Sequence, residues 1–157
     1  MSKARLAHIG ERRQGDLIIF AKAVTSSDIL TTGTALTAAC SGGRLLCVGG
    51  LFLTDATGLA TGTNLQLNVS GETYGKNIPV ADAISGLGGS KTHAWGMGIS
   101  DDATDDDFAS VAGVPFLLEN GDSIQHSCSG SACTGAGIVY IILLFRRIDP
   151  QADIATA

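Results

Sequence analysis

Aromatic side chains are scarce in this chain, at 5% of 157 residues. Trp95, Tyr74 and Tyr140 are its only Trp and Tyr residues, thin material for stacking on sugars. No long hydrophobic run occurs either. The longest, Ala136 to Phe145, has ten residues, and a membrane-spanning helix needs about 20. A cleaved secretory leader is not expected: Glu11 and Asp16 interrupt the charged stretch, and Lys22 breaks the apolar run Leu17 to Phe20. The chain is therefore expected to begin in a cytoplasm. Long helices are disfavoured too, because glycine, at 21 residues, is nearly twice its average share and is costly inside a helix.

Tight cysteine pairs are also missing. Cys40 and Cys47 are spaced C-x6-C, Cys128 and Cys133 C-x4-C, neither matching the C-x2-C knuckles of structural zinc. Zinc and one or two disulfides stay open as lesser alternatives. The simpler reading is four reduced thiols acting as small apolar side chains, with Cys47 inside an apolar strand.

What is present is aliphatic. Hydrophobic residues make up 45%, mostly Ala, Leu, Ile and Val, and mean hydropathy is positive. The length fits one domain, which at this size buries roughly 70% of the surface its unfolded chain exposes and needs no metal or disulfide to fold. A net charge of −5 argues against bulk nucleic-acid binding. Four of the ten basic residues, Lys3, Arg5, Arg12 and Arg13, fall in the first thirteen positions. The acids gather elsewhere, in Asp101, Asp102, Asp105, Asp106 and Asp107.

Residues 1–15 lack an apolar period and read as an arm, 16–148 as the folded domain and 149–157 as a polar tail opened by Pro150. Within the domain, Leu17 to Val24 reads as a strand closed by Thr25-Ser26-Ser27-Asp28. Ala35 to Cys40 suggests a short strand. Arg44 to Thr54 is a long one, with a bulge or a close backbone approach expected at Gly49-Gly50. Asn64 to Ser70 alternates cleanly, Leu65, Leu67 and Val69 against Asn64, Gln66 and Asn68, as a strand with one wet face does. Pro79 to Ile84 fits either a helical turn or an edge strand. Thr92 to Ile99 reads as a strand, and Asn120-Gly121 predicts a hairpin joining Val114–Leu118 to Asp122–Ser127. Some eight short strands with Gly-rich turns predict an all-β antiparallel sandwich, jelly-roll-like.

The last strand departs from the pattern. Ile138, Tyr140, Ile142 and Leu144 fall on one face, and Val139, Ile141, Leu143 and Phe145 on the other. Both faces are apolar, so something must cover the second. Covering four large side chains is worth roughly 1.5–3 kcal/mol each. A second copy of the chain is the favoured cover, and a loop or arm of the same chain is the alternative. All eight residues are accordingly candidates for an oligomer interface.

Catalytic motifs fail on inspection. Gly86-Leu87-Gly88-Gly89-Ser90-Lys91-Thr92 lacks the glycines that a phosphate-binding loop requires, and no helix is expected after it. Gly121-Asp122-Ser123-Ile124 resembles the nucleophile block of GDSL-type hydrolases in four residues only, with no downstream His placed as base; a turn explains it. The Asp101–Asp107 cluster offers hard oxygen ligands, but lacks the order of a calcium loop and reads as solvated. His8, His93 and His126 are dispersed. No enzyme activity, metal or cofactor is expected.

The chain resembles small β-sandwich virion proteins of tailed bacteriophages, namely capsid decoration (cement) proteins and head-fibre domains. The resemblance lies in the basic arm, the Gly/Thr/Ala-rich strands, the passage Val114-Pro115-Phe116-Leu117-Leu118-Glu119-Asn120-Gly121-Asp122-Ser123-Ile124, and the strand ending Phe145-Arg146-Arg147-Ile148. It implies a homo-oligomer, typically a trimer, that clamps the major capsid protein on the virion surface after assembly in the host cytoplasm. Lys3, Arg5, Arg12 and Arg13 would dock on an acidic shell, or form a solvated tail. A lectin-like receptor-binding tip and a small jelly-roll coat protein are the alternatives, although four basic charges make a weak nucleic-acid arm. A membrane partner is not implied.

Overall fold

The computed structural model describes residues 16–59, 64–70, 78–85, 89–90, 92–96, 116–129 and 133–157. They form strands β1 (Leu17–Thr25), β2 (Thr34–Ala35), β3 (Leu45–Thr54), β4 (Asn64–Ser70), β5 (Ile78–Ser85), β6 (Thr92–Gly96), β7 (Phe116–Leu118), β8 (Ser123–Ser129) and β9 (Ile138–Arg147). The antiparallel partners nest: β4 with β5, β3 with β6, β2 with β8 and β1 with β9. That is one long hairpin with its tip between β4 and β5. Rolling it up sets β9 beside β3 and β8 beside β4. Two sheets result, ordered β1-β9-β3-β6 and β2-β8-β4-β5. This is the strand order of a jelly roll, the fold class expected from the sequence. β7 is an addition that shares the β3 edge with β6.

The four-stranded sheet follows the one-wet-face rule. Leu65, Leu67 and Val69 are buried opposite Cys128, His126 and Ile124 of β8. Gln66 and Asn68 turn outward, and Asn68 donates from Nδ2 to Ser127 Oγ at 3.0 Å. The ambiguous segment after Ile78 is strand β5, at the sheet edge, with Pro79 where the register to β4 slips. An edge is where a residue without an N–H can sit.

The five-stranded sheet is organised by a bulge. Leu45 and Cys47 point inward before it, Phe52 and Thr54 after it, so the parity of buried positions switches within β3. The register to β9 shifts between Cys47 and Gly49, and Gly49 (φ 152°) and Gly50 are both buried. A side chain at Gly49 would oppose that backbone conformation. Without the extra residue, Leu51 and Leu53 would enter the core and Phe52 would leave it.

Two expectations need correction. Asn120-Gly121 does form a turn, with Gly121 at φ 98°, but its flanks do not form a hairpin. β7 belongs to the five-stranded sheet and β8 to the four-stranded one. The turn crosses between layers, held by Asp122, whose carboxylate accepts the Glu119 N–H at 2.9 Å, and by Cys40 N–H donating to Asp122 O at 2.7 Å. Residues 149–157 are not a free tail. Ala152 and Ile154 are buried in the core. Asp149 takes a bidentate contact from Arg44 at 2.8 and 3.1 Å, and isolated bridges join Ser41 to Asp153 and Thr37 to Thr156. Surface ion pairs of this kind contribute little, so the apolar contacts decide how firmly the segment holds. Ile154→Ala should cost about 2 kcal/mol, lowering the urea midpoint at unchanged slope. A midpoint equal to that of the unaltered chain would show that the segment is not part of the core.

Candidate functional site

The outer face of the five-stranded sheet is apolar across three neighbouring strands. Register aligns its rows: Leu17, Arg146 and Leu46; Ile19, Leu144 and Gly49; Ala21, Ile142 and Leu51; Ala23, Tyr140 and Leu53. Leu17 is 51% exposed, Ile19 64% and Tyr140 44%; Ala21 and Ala23 are exposed as well. Ile138, Ile142, Leu144, Leu46, Val48, Leu51 and Leu53 are half-buried. Arg146, at one end, is the only charged residue in these rows. Beside it, Asp16, Leu17, Val48 and Arg146 line a shallow open depression.

Strand spacing of roughly 4.8 Å and row spacing of roughly 6.8 Å make this patch about 400 Å². A large patch on a typical monomer is of similar size and is often functional. Each partner in a standard interface contributes about 800 Å². The face can thus form the centre of an interface, but not the whole of one.

Of the eight candidate interface residues, Val139, Ile141, Leu143 and Phe145 are completely buried in the chain's own core. Only Ile138, Tyr140, Ile142 and Leu144 reach the surface. The residues that sequence reasoning missed are their neighbours on β1 and β3, above all Leu17 and Ile19. The apolar run Leu17 to Phe20 is plain in the sequence, but which strand lies beside the last one is a matter of topology. Lys3, Arg5, Arg12, Arg13 and the Asp101–Asp107 cluster lie outside the described residues.

Other candidates resolve into structure. All four cysteines are free, buried thiols, and burial pushes Cys47 up to about 12. Among the described residues, no three His, Cys, Asp or Glu side chains are placed to hold a metal ion. Thr92 opens strand β6, so no helix N-terminus follows the Gly89-Ser90 turn to receive a phosphate. Ser123 is half-buried on the outer side of β8 and donates toward Ser70 O, whereas His126 points into the core. A nucleophile and its base cannot occupy opposite faces of one strand.

No protein-family model matches this chain, and no curated protein does. Solved structures to which it is similar are that of infectious bursal disease virus Gx strain, at 12% identity and a TM-score of 0.29, and the infectious bursal disease virus VP2 subviral particle, at 11% and 0.26. Each match covers 87% of this chain but only 38% and 39% of the viral chains, so this chain spans about two fifths of their length.

His126 is the one histidine whose side-chain setting is described. It is 2% exposed, its Nδ1 has no hydrogen-bond partner, and its neighbours across the strand are Leu67 and Thr34. Burial chiefly, with the Lys22 ammonium second and against the pull of Asp28, lowers its pKa to about 4. That ammonium lies on the core side of β1, donating to the carbonyls of Ala35, Leu36 and Ala157 at 3.3–3.4 Å. The unfolded state takes up a proton near pH 6.5 and the folded state only near 4. Stability is therefore full above pH 6.5 and falls through that window, by about 3 kcal/mol at most. Urea melts from pH 7 to 4 should show this slope, and His126→Leu should flatten it. An equal slope in the variant would remove His126 as the cause.

Proposed function

We propose that this chain is a non-enzymatic structural subunit that assembles with copies of itself and serves in a virion shell as a decoration or cement protein. The observation that carries the assembly reading is the outer face of the five-stranded sheet. The opposite sheet dresses its outer side with Gln66, Asn68, Ser123 and Gln125, as a sheet meeting water does. The five-stranded sheet instead presents Leu17, Ile19, Tyr140, Ile142 and Leu144. A chain that builds one wet face by strict alternation and leaves the other apolar is suited to a second protein surface there. The virion role rests on the sequence resemblance alone.

The action is mechanical. A sandwich with a continuous buried apolar core resists deformation, and joining sheets face to face transmits load between subunits without moving parts. Lys3, Arg5, Arg12 and Arg13 supply positive charge for an acidic shell surface.

Tyr140→Lys places a charge on the middle strand of the face, in the row farthest from Arg146, on a residue already 44% exposed. Folding stability should stay within about 1 kcal/mol, because the side chain meets water in the single chain. Light scattering should nevertheless report a smaller mass than that of the unaltered multimer, since an unpaired charge resists burial in the face contact. An unchanged multimer would show that this face is not the interface. Co-sedimentation with purified shells, lost on deleting residues 1–15, tests the docking role of the arm.

A further inference from the structure

A second surface adjoins the apolar face. β1 is an edge strand of the five-stranded sheet, paired on one side with β9 in a nine-residue register that has no shift. Arg147 N–H donates to Asp16 O and Ser26 N–H to Gly137 O, both at 2.7 Å, just beyond the two ends of that register. Hydrogen bonding alternates along an antiparallel strand, so the even-numbered residues of β1 direct their N–H and C=O groups at β9. The odd-numbered residues Leu17, Ile19, Ala21, Ala23 and Thr25 direct theirs at the opposite edge. No backbone group among the described residues bonds them there. Four of them, Leu17, Ile19, Ala21 and Ala23, carry exposed apolar side chains. Natural edges of this length are usually blunted by bulges, prolines or charged side chains, inward-pointing ones included. β1 has neither bulge nor proline; its only charged residue, Lys22, is turned to the core side, where its ammonium is taken up by the carbonyls of Ala35, Leu36 and Ala157.

We propose that the β1 edge pairs with β1 of a second copy, antiparallel about a two-fold axis at Ala21. This rests on the reading of the chain as an assembling subunit and adds a second contact beside the face: edge pairing lies in the plane of the sheet, so it extends the apolar face and leaves its covering to a face-to-face contact. An antiparallel edge is its own complement under a two-fold operation. Centring on Ala21 sets Leu17 opposite Thr25 of the second copy, Ile19 opposite Ala23, and Ala21 opposite itself. Every unpaired odd residue then gains a partner, for about ten N–H···O bonds in all. Lys22 meets Phe20, whereas a register shifted by one residue per strand would set Lys22 against Lys22. The apolar face, near half of what one partner contributes to a standard interface, becomes continuous with that of the second copy. Pairing of this kind gives an even number of copies, where the resemblance alone implies three.

Cysteine cross-linking tests the register. At a hydrogen-bonded pair on the axis, the Cα atoms of the two Ala21 residues stand about 5.5 Å apart, within disulfide reach. The two Ala23 residues stand about 14 Å apart. The four native thiols are buried and do not compete. With oxidised glutathione, Ala21→Cys should convert to a covalent dimer on a non-reducing gel, while Ala23→Cys stays at the mass of one chain. Equal cross-linking of the two variants would signal random collision and overturn the proposal. So would an Ala21→Cys variant that stays single, including one whose new thiol is shielded from maleimide because another segment covers the edge. The mass of the unaltered chain separates the two readings: a multimer without the Ala21 cross-link overturns the edge pairing alone, and a monomer overturns both.

Discussion

β9 is hydrogen-bonded along both edges, to β1 and to β3, and is apolar on both faces. The rest of the structure depends on this. Its inward residues Val139, Ile141, Leu143 and Phe145 are completely buried, at roughly 1.5–3 kcal/mol each, and tie the five-stranded sheet to the interior. Its outward residues need a cover of the same kind. A two-layer sandwich provides one layer beneath each sheet, so the described residues cover only one side of this strand.

The bulge in β3 and the polar face of the opposite sheet follow from that asymmetry. Shifting parity at Gly49-Gly50 keeps Phe52 in the core while Leu51 and Leu53 extend the outer apolar rows beside Ile142 and Tyr140. On the other layer, alternation in β4 and β8 leaves polar side chains outside. One face of the molecule is thus finished against water and the other is not. The C-terminal residues 149–157 do not cover the unfinished face. They close the sandwich elsewhere, along residues 37–44, through Asp149, Ala152, Asp153 and Ile154.

Local patterns in the sequence carried their structural meaning well. The alternation Leu65-Gln66-Leu67-Asn68-Val69 became a half-wet strand, and paired glycines inside an apolar run marked the bulge. What sequence could not supply was partnership. Asn120-Gly121 encodes a chain reversal, but not whether the flanking strands bond each other or enter different sheets. The eight residues of the last strand were known to be two-faced, yet only the fold shows which four remain outside and that Leu17 and Ile19 join them. In 149–157, the alternation of Gln151 and Asp153 with Ala152 and Ile154 is a short strand-like signal that the surrounding polarity obscured.

Cover of the outer face of the five-stranded sheet by another copy of the chain has a direct consequence for mass in solution. Sedimentation equilibrium of the unaltered protein, at micromolar concentration and moderate salt, tests it most directly. The expected mass is a multiple of one chain and persists on dilution through that range. A mass equal to one chain throughout would contradict it.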